Sequence, residues 1–129
     1  MRLKIPLIAA IAGVLLAAVP AFADGLTLRL DTHERQAARE LSVKLTCVDD
    51  PCTVEVTGNA RVGTRKFEIR PRHRSLAAGE TERFQLRVKK LRKLEALLVE
   101  RDGKATVKAR GTNADGASTK LKVEITLKG

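Results

Sequence analysis

The sequence predicts an all-β domain built from two packed sheets, and three observations support this prediction. Apolar and polar residues alternate through several short segments of the chain, which is typical of strands with one buried face and one wet face. Gly, Pro, Asn and Asp separate these segments, as turns require. Only one segment has its leucines at helical spacing. These patterns together favour a sandwich with a single helix.

The amino-terminal 23 residues have the three parts of a secretory signal peptide. Residues 1–4 carry two positive charges, residues 5–19 are apolar, and Ala21-Phe22-Ala23 forms a cleavage site before Asp24. An uncleaved anchor helix is the alternative, but fifteen apolar residues cover only about 22 Å of a hydrocarbon core of about 30 Å. We therefore predict a signal peptide over 1–23, one domain over 24–129, and a secreted or periplasmic location.

The composition after cleavage is basic and almost free of aromatic residues. Loss of Arg2 and Lys4 leaves 23 basic and 15 acidic residues, a formal charge of +8, and the only aromatic residues that remain are Phe67 and Phe84. A chain without Trp or Tyr has no platform on which sugars or bases could stack. This composition argues against a lectin and against a protein that binds single strands by stacking.

Cys47 and Cys52 are the only cysteines, and they are expected to form a disulfide. Two cysteines in an exported chain usually pair, because the compartment is oxidising. The Asp-Asp-Pro sequence between them is suited to a turn that brings the sulfur atoms together. Redox or metal-binding use is the alternative, although the spacing is C-x₄-C and no further thiol or His lies close in sequence.

The strands can be assigned in order from the period of two. The first three strands begin with the inward-facing residues Leu26, Leu41 and Cys52. The fourth contains Phe67 and Ile69, and it is expected to stop at Pro71, since Pro cannot continue a central ladder. The seven predicted strands occupy residues 26–31, 41–47, 52–57, 67–70, 84–88, 105–109 and 121–127.

The pattern changes to helical spacing once, between residues 89 and 101. Leu91, Leu94, Leu97 and Leu98 are three or four residues apart, and Gly103 can end the helix. Seven strands with regular turns predict an immunoglobulin-like Greek-key sandwich with one short helix between the fifth and sixth strands. The leucines are expected to close one end of the core, and the alternative is a basic amphipathic helix on a membrane surface.

Several motifs between residues 41 and 128 form a recognisable set. They are Cys47-x₄-Cys52 with its following strand, Phe67 to Pro71, Leu76 to Gly79, Phe84 to Leu86, the basic Leu-rich helix, Lys104 to Val107, and Ser118 to Lys120. Together they resemble the small immunoglobulin-like domains of exported proteins of high-GC bacteria. The resemblance implies a structural or adhesive module that is not an enzyme.

No set of side chains predicts catalysis. His33 and His73 are the only imidazoles, and both lie among charged residues in segments expected to be loops. Asp49 and Asp50 are adjacent, so they are better suited to a turn than to paired acid and base chemistry. We expect that the protein is not an enzyme and that it binds no metal or cofactor. A small hydrolase or redox enzyme is the remaining alternative.

Two basic clusters are the best candidates for a binding site. Arginines 70, 72 and 74 surround Pro71 and His73, and the helix begins with Lys89, Lys90, Arg92 and Lys93. Guanidinium forks bind phosphate or carboxylate through two hydrogen bonds. The alternative is that these charges only keep the domain soluble.

The sequence thus predicts an exported, monomeric or weakly associating structural or binding module of the cell envelope or extracellular space. Its expected partner is a protein or an anionic polymer such as a cell-wall polymer, lipopolysaccharide or DNA. We expect neither specific nucleic-acid binding nor a stable membrane span after cleavage.

Overall fold

A computed structural model describes the backbone of residues 16–23 and all of residues 26–128. Residues 1–15, which hold most of the predicted signal peptide, lie outside the described residues. The strands are β1 (Leu16–Ala23), β2 (Leu26–His33), β3 (Arg35–Ala37), β4 (Ser42–Cys47), β5 (Cys52–Val62), β6 (Arg65–Leu76), β7 (Thr81–Gln85), β8 (Gly103–Asn113) and β9 (Ser118–Lys128). The helix is α1 (Leu91–Leu98), and a 3₁₀ turn covers Ala38–Glu40.

The nine strands form two sheets. One has four strands in the order β1-β2-β4-β7, and the other has five in the order β3-β9-β8-β5-β6. Within the predicted domain over 24–129 there are therefore eight strands, three in one sheet and five in the other. The only parallel pair among the described strands joins β3 to β9.

The core lies between the sheets and is almost entirely aliphatic. Along β2 and β8 every second residue is buried, because successive side chains of a strand point to opposite faces. Leu28, Leu45, Val54, Val107 and Ile125 come from both sheets, are fully buried and belong to one hydrophobic cluster. Burial of such side chains stabilises the fold by roughly 1.5–3 kcal/mol each.

The prediction of seven strands with the helix between the fifth and sixth was wrong. The additional strand of the predicted domain is β3, which pairs with β9. The chain crosses from one sheet to the other at Glu34, just before β3. The Glu34 carbonyl accepts a hydrogen bond of 2.7 Å from the Thr126 amide. Three residues are too few for a period of two to reveal a strand. The helix consequently follows the seventh strand of the described chain, or the sixth of the domain.

The helix is also shorter than its leucine pattern predicted. It begins at Leu91, and Lys90 before it has a left-handed backbone with φ of +58°. Leu94 and Leu98 point into the core, whereas Leu91 and Leu97 are half-buried against it. The helix therefore contributes to the hydrophobic core with one face. No helix in the described part of the chain is long and apolar enough to cross a bilayer.

Strand β6 continues through Pro71 instead of stopping there. The register with β5 passes from Val56 opposite Arg72 to Gly58 opposite Ile69, so a bulge lies at this point of the strand pair. A bulge in an edge strand tolerates Pro, because no ladder hydrogen bond from its nitrogen is needed there. Residues 70–74 thus belong to a strand and not to the expected loop.

The disulfide between Cys47 and Cys52 is confirmed, with their Cα atoms 5.9 Å apart. Cys47 ends β4 in the first sheet and Cys52 begins β5 in the second. Both residues belong to the buried core. The bond therefore joins the two sheets directly at one end of the sandwich.

Candidate anion-binding groove

The two predicted basic clusters meet at the edge of the sandwich. Strand β6 is an edge strand of its sheet, and the segment between β7 and α1 runs alongside it. The Arg70 amide donates to the Arg87 carbonyl, and the Lys89 amide donates to the Glu68 carbonyl, both at 2.8 Å. An antiparallel bridge joins Ile69 to Val88 between them. These contacts bring the arginines of β6 next to the basic residues that precede the helix.

Four arginines line one open groove of about 620 Å³ at this junction. We call it the arginine groove, and its charged residues are Arg39, Arg70, Arg72 and Arg87. Its apolar lining comes from Ala38, Leu86, Val88 and Leu91. Asp and Glu are absent from the described lining, so the charge in the groove has one sign.

The four guanidinium groups are held in different ways. Arg72 donates from Nη1 to the Gln85 carbonyl at 2.7 Å, which fixes it across the edges of the two sheets. Arg39 donates from Nε and Nη2 to the two carboxylate oxygens of Glu95, both at 2.9 Å. Within residues 26–128, Arg70 and Arg87 form no ion pair. Two of the four charges are therefore available to a ligand.

The Arg39–Glu95 pair is also the site of the clearest electrostatic perturbation. The hydrogen bond from Arg39 to Glu95 lowers the pKa of the Glu95 carboxyl below its ordinary value, against a smaller opposing effect of desolvation. The same hydrogen bond raises the pKa of Arg39. Both groups are therefore fully charged at neutral pH, and Arg39 remains tethered at the groove.

The remaining predicted lysines form a second, smaller depression. Lys89, Lys90 and Lys93 lie with Arg65 and Lys66 around a volume of about 240 Å³. Glu68 lies in the same lining and accepts a hydrogen bond of 3.0 Å from Lys89 Nζ. The lysines are thus partly neutralised and exposed to solvent.

The structure does not bring all seven predicted residues together. Arg70 and Arg72 lie in the arginine groove, and Lys89, Lys90 and Lys93 lie in the lysine depression. Arg74 is on the same strand but forms an ion pair of 3.6 Å with Glu82. Arg92 is exposed on α1 and lines neither depression. The two predicted clusters therefore form two adjacent sites, and two of their residues, Arg74 and Arg92, lie outside both.

Sequence reasoning missed Arg39 and Arg87 as groove residues. Arg87 occupies the polar position between Leu86 and Val88, so the period of two could have identified it as an outward side chain. Arg39 is far from the others in sequence and has no such signal. It reaches the groove only because the 3₁₀ turn packs against α1.

The residues considered for catalysis are placed apart from the groove. His33 ends β2 and His73 lies within β6, and both side chains are exposed. The two cysteine thiols are consumed by the disulfide. Among residues 26–128, no group of three or more His, Cys, Asp or Glu side chains could hold a metal ion.

Comparison of the chain with protein-family models, with curated proteins and with solved structures finds no match.

Proposed function

We propose that this protein is an exported, non-enzymatic binding module that contacts anionic polymers of the cell envelope or the extracellular space. One observation carries the proposal: Arg70 and Arg87 lie in the same groove without an acidic partner among the described residues. An Arg fork donates two parallel hydrogen bonds to a phosphate or carboxylate, so such a groove favours anionic ligands.

The arrangement of the arginines in the groove also supports the proposal. Leu86 and Val88 are buried and add little exposed apolar surface, so the accessible lining is mainly polar and charged. Arg72 and Arg39 are already positioned by their hydrogen bonds, which reduces the entropy that a ligand must overcome to order them.

Export is supported by two features of the chain. Residues 1–23 have the charged, apolar and A-x-A parts of a signal peptide. The disulfide fits an oxidising compartment, because thiols in the cytosol are kept reduced. Anionic polymers are abundant in that compartment, whereas the protein's own charge is strongly positive.

The test is retention on immobilised heparin compared with retention on a plain sulfonate exchanger. The groove variant Arg70→Gln/Arg87→Gln is compared with Lys44→Gln/Arg83→Gln, which removes the same charge from exposed positions of β4 and β7. We expect the groove variant to lose the additional retention on heparin, while the control elutes slightly earlier from both columns by the same salt increment. Equal shifts of both variants on both columns would show that only net charge matters and would contradict the proposal.

A further inference from the structure

A second basic surface lies on the outer face of the five-stranded sheet. In the hairpin of β8 and β9, Lys108 is directly opposite Lys122, and Arg110 is directly opposite Lys120. The intervening Ala109 and Leu121 are buried in the core, so the four charged side chains share the outer face. We call these four residues the basic quartet.

The basic quartet has little compensation from the protein. All four side chains are exposed, and within residues 26–128 none of them forms an ion pair. They line a shallow depression of about 540 Å³ in which Glu55 is the single acidic residue. Glu55 on β5 is directly opposite Arg110 on β8. Lys108 is instead opposite Thr57, so no acidic residue of β5 lies directly beside it.

Stability alone does not account for this arrangement. Like charges directly opposite each other on neighbouring strands destabilise a sheet, whereas opposite charges stabilise it. The same hairpin has a compensated pair beyond Lys108 and Lys122, because Lys104 Nζ lies 4.0 Å from the Glu124 carboxylate. Like-charged pairs also occur singly elsewhere, as at Lys44 and Arg83. In the quartet two such pairs follow each other on one hairpin, so an anion bound across them would relieve the repulsion of both.

The shape and chemistry of the face indicate the partner. Neighbouring strands are about 4.8 Å apart and alternate residues of a strand are about 6.8 Å apart, so the four charges form a small flat rectangle. The other outward residues in the depression are Glu55 and Thr57, and none is aromatic or aliphatic. A face of this kind can neither stack bases nor enter the apolar part of a bilayer.

We propose that the basic quartet binds a linear phosphodiester chain through its backbone charges, without reading its bases. Lysine ammonium groups on flexible stems can follow successive phosphates as point charges. Strand β5 separates the quartet on β8 and β9 from the arginine groove at β6, so the two sites occupy different parts of the surface. The protein can therefore hold two anionic chains at once, which goes beyond the single groove proposed above.

The test uses a fluorescently labelled abasic deoxyribose phosphodiester oligomer, titrated with the disulfide-bonded protein and followed by anisotropy. Lys108→Gln/Lys122→Gln removes one opposed pair, and Lys44→Gln/Arg83→Gln is the matched control, because these two residues are also directly opposite each other, in the other sheet. We expect the quartet variant to bind about tenfold more weakly at low salt, and the slope of log affinity against log salt to fall by about 1.4, the value for two lost phosphate contacts.

The thermal midpoint of the Lys108→Gln/Lys122→Gln variant provides a second readout, which distinguishes binding residues from residues that stabilise the sheet. Because the variant relieves like-charge repulsion, its thermal midpoint should equal or exceed that of the wild type even as it loses affinity. A lower midpoint would mean that Lys108 and Lys122 stabilise the sheet and would overturn the argument.

The remaining outcomes separate this inference from the proposed function. Unchanged affinity of the quartet variant, or an equal loss in the control, overturns the inference. If only Arg70→Gln/Arg87→Gln loses the oligomer, the groove binds the chain and the quartet assignment is wrong. Binding of an oligothymidylate much more tightly than the abasic oligomer, or of duplex DNA alone, would also overturn it.

Discussion

Arg39 and Glu95 show how a single ion pair can position a side chain in the candidate groove. The two hydrogen bonds of 2.9 Å join the 3₁₀ turn after β3 to α1. The side chain of Glu95 is 29 % exposed and that of Arg39 is 67 % exposed, so solvent screens the pair and it contributes little to stability at high salt. Its clearer effect is to hold one guanidinium group at the rim of the arginine groove.

The Arg39–Glu95 pair predicts a specific pH dependence. The hydrogen bond from Arg39 lowers the pKa of Glu95 in the folded protein. The stabilisation is therefore present above the unfolded pKa of about 4.3 and is lost as the pH falls through the folded value. The difference in thermal midpoint between wild type and Glu95→Gln should be largest at about pH 6 and smaller at about pH 3.

Glu100→Gln is the control for this measurement, since Glu100 is exposed and forms no ion pair among residues 26–128. Its midpoint should follow that of the wild type across the same pH range. A Glu95→Gln difference that does not change with pH would show that the carboxylate charge is not what stabilises the contact.

Lys90 is a residue at which conformation and charge both oppose stability. Its left-handed backbone is uncommon for a residue with a Cβ atom, and it precedes α1 without a side-chain hydrogen bond to the helix amides. Positive charge at this end of a helix is disfavoured by the helix dipole. The sequence pattern indicated the charge, but the backbone strain depends on how the β7–α1 segment is packed.

At the scale of the elements, the disulfide joins the end of β4 in one sheet to the start of β5 in the other. The connection from β4 to β5 is a tight segment of Val48, Asp49, Asp50 and Pro51. The predicted pairing was correct because the turn residues and the cysteine spacing are local features. That the bond joins the two sheets depends on where β4 and β5 pair, which is not local.

Reduction of the disulfide should lower the free energy of unfolding by about 2 kcal/mol, the chain-entropy value for so short a loop. The measurement is urea unfolding of the wild type with and without dithiothreitol. Cys47→Ala/Cys52→Ala is the control and should be insensitive to the reductant. Stability that is unaffected by reduction, or free thiols in the untreated protein, would contradict this expectation.

Most strands follow from their own residues, because alternation of buried and exposed side chains is a property of each segment. Leu28 and Leu30 in β2, or Val107 and Ala109 in β8, could be assigned inward positions directly from the period of two. Strand β3 could not, because three residues carry no period and its partner β9 is at the other end of the chain. The extent of β6 was also missed, since Pro71 is acceptable only at an edge bulge.

At the scale of the whole molecule, the two surfaces proposed to bind anions lie on different parts of one sandwich. The arginine groove is at the junction of β6 with the segment before α1, and the basic quartet is on the outer face of β8 and β9. Under the two proposals made for these surfaces, an anionic chain bound at one of them would raise the local concentration of anion at the other.

The amino terminus gives a prediction for the mature protein. The backbone of Leu16–Ala23 forms β1 at the edge of the four-stranded sheet, paired to β2. Cleavage before Asp24 would remove this strand and leave β2 at the edge. Amino-terminal sequencing of protein recovered from the periplasm or medium of an expressing bacterium should begin at Asp24.

Ala21→Arg/Ala23→Arg is the control, because signal peptidase requires small residues at these positions. It should leave the precursor uncleaved in the cell fraction. Recovery of exported wild-type protein that still contains residues 16–23 would show that β1 is a permanent strand of the fold.

The aliphatic core, most of the strands, one helix and the disulfide could be predicted from local sequence, because each depends on the period or spacing of nearby residues. Which charges meet depends instead on the fold. Arg39, Arg70 and Arg87 share a groove, and Lys108 faces Lys122, because strand register and the crossing between sheets bring together residues that are distant in the chain. Electrostatic interaction depends on distance in space, and sequence separation alone does not specify that distance.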